Sequence, residues 1–449
     1  MTHKKKHNRA ITPFQLLVSY YFIAIASSFL LLRIPAVYQE GKEVSLVDSL
    51  FTAVSAVSVT GLTVFDISST FTHFGVGVLL VILQLGAIGI MSIGTFLWLI
   101  TGKRIGMRER QLIMIDFNQS QVSGVVQLLK EIVKLLFIIE AVGALILSLH
   151  FHQYFDTWGE AIKHGVFASI SATTNGGFDI TGESLQPFHT DYFVQFITII
   201  LIVLGAIGFP VLIEVKNFLF RKKDTFRFSL FTKITALTYG VLFIVGTIVI
   251  ILIESFLSFK GMTWYEKLFT AMFHSISARS GGLTTYDVTQ FSEATDIFLS
   301  FLMFIGSSPS SVGGGIRTTT FAIAILFLIS FANGRTEIQI FGREIHLNDI
   351  YRSYVVIILA FFMVMISTMV LLITEPHATT TQIIFEITSA FGTCGMSLGI
   401  TESLSTEGKF VVMILMFIGR VGLISFLYTL GGKADKPPYH YPKERVIIG

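Results

Sequence analysis

The sequence contains few charged residues. Only 14% of its 449 residues are Asp, Glu, Lys or Arg, whereas 52% are hydrophobic and the mean hydropathy is +0.73. A soluble globular domain carries about 25% charged residues. This deficit excludes a surface that faces water on all sides, and it indicates an integral membrane protein with little mass outside the membrane.

Cysteine and catalytic motifs are also scarce. The single cysteine, Cys394, excludes an intrachain disulfide framework and a zinc site built from several cysteines. His274 has no second histidine or carboxylate at ligand spacing, so packing or a backbone hydrogen bond is the expected role. The absence of a Ser/His/Asp or HExxH arrangement argues against an intramembrane protease and an enzyme. No small-residue cleavage pattern follows the first apolar run, which predicts a retained helix.

Long apolar runs are abundant. A helix that spans a bilayer needs about 20 mostly apolar residues, and eight runs are long enough. They lie near 13–35, 74–101, 130–151, 192–219, 232–257, 295–332, 351–374 and 409–431. Four shorter semi-apolar segments, too short to span, predict re-entrant helices and lie near 45–58, 160–174, 264–278 and 379–392.

Positive charge orients these segments. With this topology, 23 of the 32 Lys and Arg residues fall on one side, six on the other and three at membrane depth. Because cytoplasmic loops carry an excess of Lys and Arg, both termini are predicted to be cytoplasmic. The four short segments then all enter from outside.

Each short segment leads into a related string with a Ser-Ala step and a glycine, and the four glycines are Gly61, Gly177, Gly282 and Gly395. The apolar run that follows repeats as well, with glycines at Gly86, Gly205, Gly306 and Gly419. Close helix packing alone explains one such glycine but not four at near-constant spacing. The pattern predicts four parallel repeats at 13–110, 111–228, 229–344 and 345–432, between a cytoplasmic N-terminus (1–12) and tail (433–449).

Four parallel repeats close into a pseudo-fourfold ring around one pore. The predicted fold is therefore an all-α membrane protein with eight transmembrane helices and four re-entrant pore helices. Extended backbone at membrane depth is tolerated only where it is buried or lines an aqueous path. Its carbonyl oxygens can replace the hydration shell of a cation, and glycine permits the positive φ that aligns them.

These four glycine strings are the predicted selectivity filter. They consist of Val59, Thr60, Gly61, Asn175, Gly176, Gly177, Ser280, Gly281, Gly282, Thr393, Cys394 and Gly395. They lack a ring of acidic side chains, which favours a weakly hydrated monovalent cation over a divalent one. The thiol of Cys394 is expected to be a small packing group, while its backbone lines the pore.

The glycine strings, the segment "HSISARSGGLTTYD" and the interruption "GSSPSSVGGGIRTTT" resemble the Trk/Ktr/HKT superfamily of potassium transporters over about residues 11–432, most closely its Ktr membrane subunits. This resemblance implies potassium uptake across the bacterial plasma membrane, stimulated by sodium, by a homodimer with one pore per protomer. It further implies a cytosolic RCK-type regulatory subunit that binds ATP or ADP. The chain itself has no P-loop, so the nucleotide would belong to that subunit. No nucleic-acid partner is expected, and membrane lipid surrounds the chain.

Three arginines lie at membrane depth, where a charge is a functional candidate by default. Arg420 follows Gly419 and is predicted to face the pore below the filter as a barrier to cations, as a basic residue does in similar proteins. The alternative is a structural ion pair, for example with Glu214. Arg279 is predicted to stiffen the third string by bonding its carbonyls.

Serines, a proline and three consecutive glycines interrupt one apolar run. Such residues do not continue a helix comfortably, so the loop must sit inside the protein or face a cavity. It occurs in one repeat only, beneath the filter, and is predicted to be an intramembrane gate. The loop spans 306–317, and its gate residues are Gly306, Ser307, Ser308, Pro309, Ser310, Ser311, Val312, Gly313, Gly314, Gly315 and Arg317. A passive hinge is the alternative.

Two further questions stay open at this level. Asp66, Asp179 and Asp287 follow three of the strings and either draw cations to the outer mouth or cap local turns. The alternative function is an alternating-access cation symporter, although those folds often use inverted repeats, and here the repeats are parallel.

Overall fold

A computed structural model describes residues 13–89, 105–116, 123–220 and 227–430, together with Pro442 and Glu444. Almost every element is a helix. The predicted N-terminal segment 1–12 and all of the tail 433–449 except those two residues lie outside the described residues.

Four helices run unbroken for at least 18 residues and are apolar enough to cross a membrane, among the residues described. They are α1 (Pro13–Leu32), α6 (Val125–Phe151), α10 (Leu230–Glu254) and α14 (Leu347–Thr374). Each corresponds to the first apolar run of a predicted repeat. The three shorter helices α3 (Ile67–Thr70), α4 (His73–Ile88) and α5 (Met107–Asp116) lie between α1 and α6.

A short helix follows each of these four. The short helices are α2 (Leu46–Ser58), α7 (Trp158–Thr173), α11 (Trp264–Ser280) and α15 (Thr380–Gly392). A Ser or Thr stands at every N-cap. In three of the helices its hydroxyl accepts from an otherwise unpaired first-turn N–H, and in α11 the N-cap N–H of Thr263 donates to Glu266 at 2.7 Å. A phenylalanine four residues before each Ser-Ala serine is fully buried, so the four helices anchor to the core in the same way: Phe51, Phe167, Phe273 and Phe385.

The second apolar run of each predicted repeat is not one continuous helix; the interruption predicted this for the run near 295–332, whereas hydropathy predicted single spans for the other three. The run near 192–219 divides into α8 (Tyr192–Ala206) and α9 (Phe209–Phe220), which are bent by 106°. The run near 295–332 divides into α12 (Glu293–Ile305) and α13 (Thr318–Ala332), and that near 409–431 into α16 (Thr406–Val421) and α17 (Leu423–Leu430). The run near 74–101 is described only to residue 89, where α4 has ended.

Glycines at matching positions cause three of these breaks. Gly89, Gly208 and Gly422 each follow a repeat glycine by three residues and have φ of 85°, 98° and 88°. Side chains rarely adopt that conformation, and it cannot continue an α-helix. Apolar composition does not register such a bend, so hydropathy alone predicted single spans.

A two-stranded hairpin joins α13 to α14. Strands β1 (Gln339–Ile340) and β2 (Arg343–Glu344) pair antiparallel, with Gln339 opposite Glu344. The two turn residues between them, Phe341 and Gly342, both have positive φ, as a tight two-residue hairpin requires.

Candidate functional site

The glycines of the four strings converge on one point. All four have positive φ, between 67° and 100°. A methyl group on Gly61 would lie 2.7 Å from Cα of Gly177, and one on Gly177 would lie 3.3 Å from Cα of Gly282. A methyl group on Gly395 would lie 3.1 Å from Cα of Gly61, which closes the ring. The structure therefore brings together residues that are more than 330 positions apart in the chain.

Backbone carbonyls crowd the same ring. The carbonyl oxygen of Thr60 lies against Gly177 and Gly395, and that of Cys394 lies against Gly177 and Gly282. The buried thiol of Cys394 points away to the Ser277 carbonyl, at 3.4 Å, so it fills space between strings. The ring is thus lined by neutral oxygen dipoles without acidic side chains.

The serine of each Ser-Ala step holds its string in place. Backbone N–H groups in the strings donate to the carbonyl oxygens of these serines over 2.7–3.2 Å: Thr60 to Ser55, Gly176 to Ser171, Gly282 to Ser277 and Cys394 to Ser389. Serine hydroxyls add a second bond, such as Gly61 N–H to Ser55 Oγ at 3.1 Å and Gly395 N–H to Ser389 Oγ at 3.1 Å. Because the N–H groups are bonded outward, the carbonyls remain for the centre of the ring.

The third string departs from the other three. Val59, Asn175 and Thr393 occupy the left-handed region, with φ of 57°, 52° and 47°, whereas Ser280 is still helical. The interval from the Ser-Ala serine to the ring glycine is one residue shorter in the third string. The four strings are therefore not equivalent.

Three of the four glycines that recur in the second apolar runs allow these runs to approach the short helices closely. A methyl group on Gly86, Gly205 or Gly419 would collide with the carbonyl of Val57, Thr173 or Phe391, and each of these carbonyls belongs to the residue after a Ser-Ala step. Gly306 differs, because it has φ 72° and lies against Gly314 of the interruption.

The interruption, residues 306–317, forms an intramembrane loop that fills the break between α8 and α9. Ser308 N–H donates to the Ala206 carbonyl at 3.1 Å, and Phe209 N–H donates to the Ser310 carbonyl at 2.9 Å. Backbone groups freed by the helix break are thus satisfied by the loop. This partner was not predicted from the sequence, although Gly208 and Pro210 are signals of a broken helix.

Arg317 and Arg420 hold the loop from two sides. Arg317 donates to the Ser307 hydroxyl at 3.1 Å and to the Gly313 carbonyl within the loop. Arg420 donates to the carbonyl of Val312 in the loop and to that of Gly86 at the end of α4. The alternative ion pair with Glu214 is not formed, because Glu214 accepts instead from the backbone N–H of Ser229, at 3.0 Å.

Arg279 is structural, but its partner is Tyr239 and not a carbonyl of the third string, which was the expected partner. It donates to the Tyr239 carbonyl at 3.1 Å and stacks on the Tyr239 ring, 3.6 Å from its centroid. Arg279 leaves the end of α11 away from the string, where an aromatic face replaces part of its lost hydration. It fastens the short helix to α10. The two ring nitrogens of His274 face the carbonyls of Thr270 at 2.9 Å and Tyr286 at 3.3 Å, and the protonated nitrogen donates to its carbonyl, the expected backbone role.

The three acids beyond the strings cap turns. Asp66 accepts from the backbone N–H groups of Ser68 and Ser69, and Asp179 and Asp287 accept in the same way from the residues that follow them. Burial opposes ionisation of Asp66, but hydrogen bonds from Ser69 and Ser68 outweigh it, so the pKa of Asp66 lies below its ordinary value. Local capping therefore accounts for their positions.

Acids that the sequence argument missed tie the two main helices of a repeat together. Glu254 and Glu375 each accept from the backbone N–H and the hydroxyl of an N-cap serine, Ser292 and Ser405. In the second predicted repeat the acid is itself the N-cap: Asp191 at the start of α8 accepts from the Tyr154 hydroxyl at 2.7 Å and lies 2.6 Å from His150 Nε2 at the end of α6. Burial alone would raise the pKa of Asp191, but hydrogen bonds from Tyr154 and His150 outweigh it and lower the pKa.

Comparison with known proteins identifies the family to which the chain belongs. Residues 1–431 match the family described as "TrkH: Cation transport protein". The Ktr system potassium uptake protein D of Bacillus subtilis is 54% identical over 98% of both chains, and the Ktr system potassium uptake protein B of the same organism is 34% identical over 98% of this chain and 97% of that protein. The potassium/sodium uptake protein NtpJ of Enterococcus hirae is 32% identical over 99% of both chains.

A solved structure shares the fold. The crystal structure of the potassium transporter TrkH from Vibrio parahaemolyticus superposes with a TM-score of 0.68, at 18% identity. The alignment covers 96% of this chain and 86% of that one.

Proposed function

Because the chain belongs to the TrkH family of cation transport proteins, we propose that it takes up potassium through a channel-like pore formed by its four glycine strings. It is a multi-pass membrane transport protein and not an enzyme. The observation that carries the proposal is the ring of four positive-φ glycines with backbone carbonyls between them. Neutral carbonyl dipoles suit a monovalent cation that loses its water easily.

In this proposal each repeat contributes one spanning helix, one pore helix, one string and one broken second helix around a single pore. The C-terminal ends of the pore helices carry negative partial charge towards the ring, which favours a cation there. Both termini lie in the cytoplasm of a plasma-membrane protein. The alternative, an alternating-access symporter, would need a fixed coupling stoichiometry.

Flux into liposomes separates these two functions. Purified protein is reconstituted, and uptake of potassium, rubidium and sodium is followed with and without a gradient of the other ion. The pore predicts saturable potassium and rubidium flux that continues without any partner ion. Obligatory coupling at a fixed ratio would instead establish the symporter.

The intramembrane loop is proposed to be the gate. It lies against the third and fourth strings, since a methyl group on Gly313 would lie 2.7 Å from Cβ of Ser280 and one on Gly314 would lie 2.8 Å from Oγ1 of Thr393. Arg420 adds a positive charge at this level and forms the barrier to cations. Deleting residues 310–314 is expected to raise flux and weaken regulation, whereas a passive hinge predicts misfolding or unchanged transport.

Arg420→Gln tests the barrier separately. The expected result is increased basal cation flux with protein yield and melting temperature close to those of the parent, because glutamine still donates hydrogen bonds. Arg335→Gln is the control, because Arg335 is an exposed residue outside the loop. A variant that loses yield without a change in flux per molecule would show that Arg420 is only structural.

The Ktr proteins among the relatives suggest further parts of the system. We propose a homodimer with one pore per chain, stimulation by sodium, and a cytosolic RCK-type subunit that binds ATP or ADP and moves the loop. The name of NtpJ includes both potassium and sodium. Co-purification with a regulatory subunit, followed by flux with ATP against ADP, tests the regulation.

A further inference from the structure

A cavity of about 410 Å³ lies directly beneath the intramembrane loop. It extends from Arg317 and Arg420 to the first turns of α10 and α14, where Phe231 and Asp349 line it. Those first turns and Leu17 near the start of α1 lie at the end of the bundle that is proposed to face the cytoplasm. The cavity therefore connects the loop with the inner side of the membrane.

The lining of this cavity has an excess of positive charge. Three arginines, Arg317, Arg352 and Arg420, line it against one acid, Asp349. In the part of the chain that the structure describes, Arg317 and Arg420 form no ion pair and donate to carbonyl and hydroxyl oxygens. Arg352 and Asp349 are 3.9 Å apart and mostly solvent-exposed, so their pairing is weak. Uncompensated charge at this depth favours a counter-ion.

Two helix N-termini point their partial positive charge into the same space. Thr319 and Thr320 of the first turn of α13 line the cavity, as do Leu423 and Ile424 of the first turn of α17. The first-turn N–H groups of a helix have no partner within that helix, and the helix dipole attracts anions to them. The N-cap of α13, Arg317, supplies no side-chain cap.

One buried donor supplies an independent indication of a ligand. Arg420 is only 8% exposed, and its Nε has no hydrogen-bond partner although both of its terminal nitrogens do. A buried donor left unpaired costs about 1–3 kcal/mol, and more when the group is charged. An acceptor inside the cavity would remove that cost.

We propose that this cavity binds a phosphate-bearing anion, which neutralises the arginines beneath the loop. One guanidinium group can donate to two oxygens of a phosphate at once, and a helix N-terminus binds a phosphate through its free N–H groups. The volume lies within the range of about 300–1,000 Å³ for small-ligand sites. Apolar residues line the remainder, among them Leu17, Phe231, Ile323 and Val356, so the phosphate fits either an inner-leaflet phospholipid or a soluble phosphate compound.

Binding has a consequence for transport that rests on the proposed function. If Arg420 is the barrier to cations, an anion beside it reduces the repulsion, and cation flux rises when the site is occupied. Binding itself does not depend on that function, so the two are measured separately.

The binding test uses purified full-length protein in a neutral detergent. Melting temperature is followed during titration with inorganic phosphate, with short-chain phosphatidic acid and with phosphatidylcholine of the same chain length. Stabilisation by inorganic phosphate identifies a soluble ligand, and stabilisation by phosphatidic acid alone identifies a lipid. Phosphatidylcholine, which carries no net charge, is expected to stabilise the protein least.

Arg352→Gln removes one cavity charge without touching the loop, and Arg343→Gln removes an exposed charge in the hairpin outside the cavity. Arg352→Gln is expected to weaken the apparent affinity about tenfold, the effect of losing one charge-assisted bond of about 1.4 kcal/mol. Arg343→Gln is expected to leave it unchanged. Equal affinities in both variants and the parent, or no stabilisation by either phosphate compound, would overturn the proposal.

A flux measurement completes the test. Vesicles of phosphatidylcholine with and without phosphatidic acid are compared for rubidium flux, and Arg352→Gln is expected to lose most of the difference. Stabilisation with no flux in any vesicle would refute the proposed transport function while leaving the binding site intact.

Discussion

Replacement of Gly395 by alanine tests whether the four strings form the ion pathway. Gly395 has φ 100°, and its added methyl group would press on the Thr60 carbonyl and lie 3.1 Å from Cα of Gly61. The backbone strain of a side chain at positive φ is about 1–2 kcal/mol, and overpacking a closed site adds about 1–3 kcal/mol. Only the overpacking contribution depends on the convergence of the strings.

Gly399→Ala provides the matched control within the same repeat. Gly399 has φ 86°, and nothing lies within 4 Å of an added methyl group. Both variants are expected to lose the strain contribution to stability. Gly395→Ala is in addition expected to lose most potassium flux, or to lose the preference for potassium over sodium, because the methyl group displaces a carbonyl of the ring.

The assay is rubidium and sodium flux into liposomes, normalised to reconstituted protein, together with melting temperature in detergent. The decisive quantity is the difference between the two variants. If Gly395→Ala keeps the parental flux and ion preference while Gly399→Ala behaves identically, the ring of glycines is not the pathway and the reasoning fails.

Three further perturbations probe the framework. Asp191→Asn should lower the melting temperature at neutral pH but not in strong acid. The lowered pKa of Asp191 stabilises the folded state above pH 3.8, the ordinary pKa, and this stabilisation is lost as the pH falls through the native pKa. Melting curves from pH 7 downward check this. Lys409→Met should lower the free energy of unfolding by about 1–3 kcal/mol, because it removes the ammonium that lies 2.7 Å from Asp48 between the predicted fourth and first repeats. A double variant with Asp48→Leu should recover part of the loss in melting temperature. Gln84→Leu should cost about 1–3 kcal/mol by removing the 2.6 Å bond to the buried carboxyl of Glu140, and an unchanged denaturation midpoint would contradict that bond.

Local signals placed the short helices well. The sequence predicted segments near 45–58, 160–174, 264–278 and 379–392, and the helices begin and end within two residues of these bounds. Local residues mark the boundaries of these helices, since a Ser or Thr stands at each N-cap and a glycine string follows each end. The ring glycines were found for the same reason, because only glycine readily adopts positive φ at a crowded centre.

Tertiary contacts were harder to predict. The partner of the intramembrane loop is the break after Ala206, and no local pattern states that Ser308 bonds there. The side chain of Arg279 turned to Tyr239 instead of the adjacent string, a choice that depends on which helix packs behind it. The breaks themselves had a signal that was overlooked, since a second glycine follows Gly86, Gly205 and Gly419 by three residues.

The contacts of the loop set the size of the energy that gating requires. At least four hydrogen bonds link it to helices other than its flanking α12 and α13: Ser308 to Ala206, Phe209 to Ser310, Val312 to Gly205 and Arg420 to Val312. When water replaces such a bond, the net cost is about 0.5–1.5 kcal/mol each, so withdrawing the loop costs about 2–6 kcal/mol in all. A ligand needs about 5.5 kcal/mol of differential binding to reverse a population from 1:99 to 99:1. The loop is therefore held weakly enough for one bound regulator to move it.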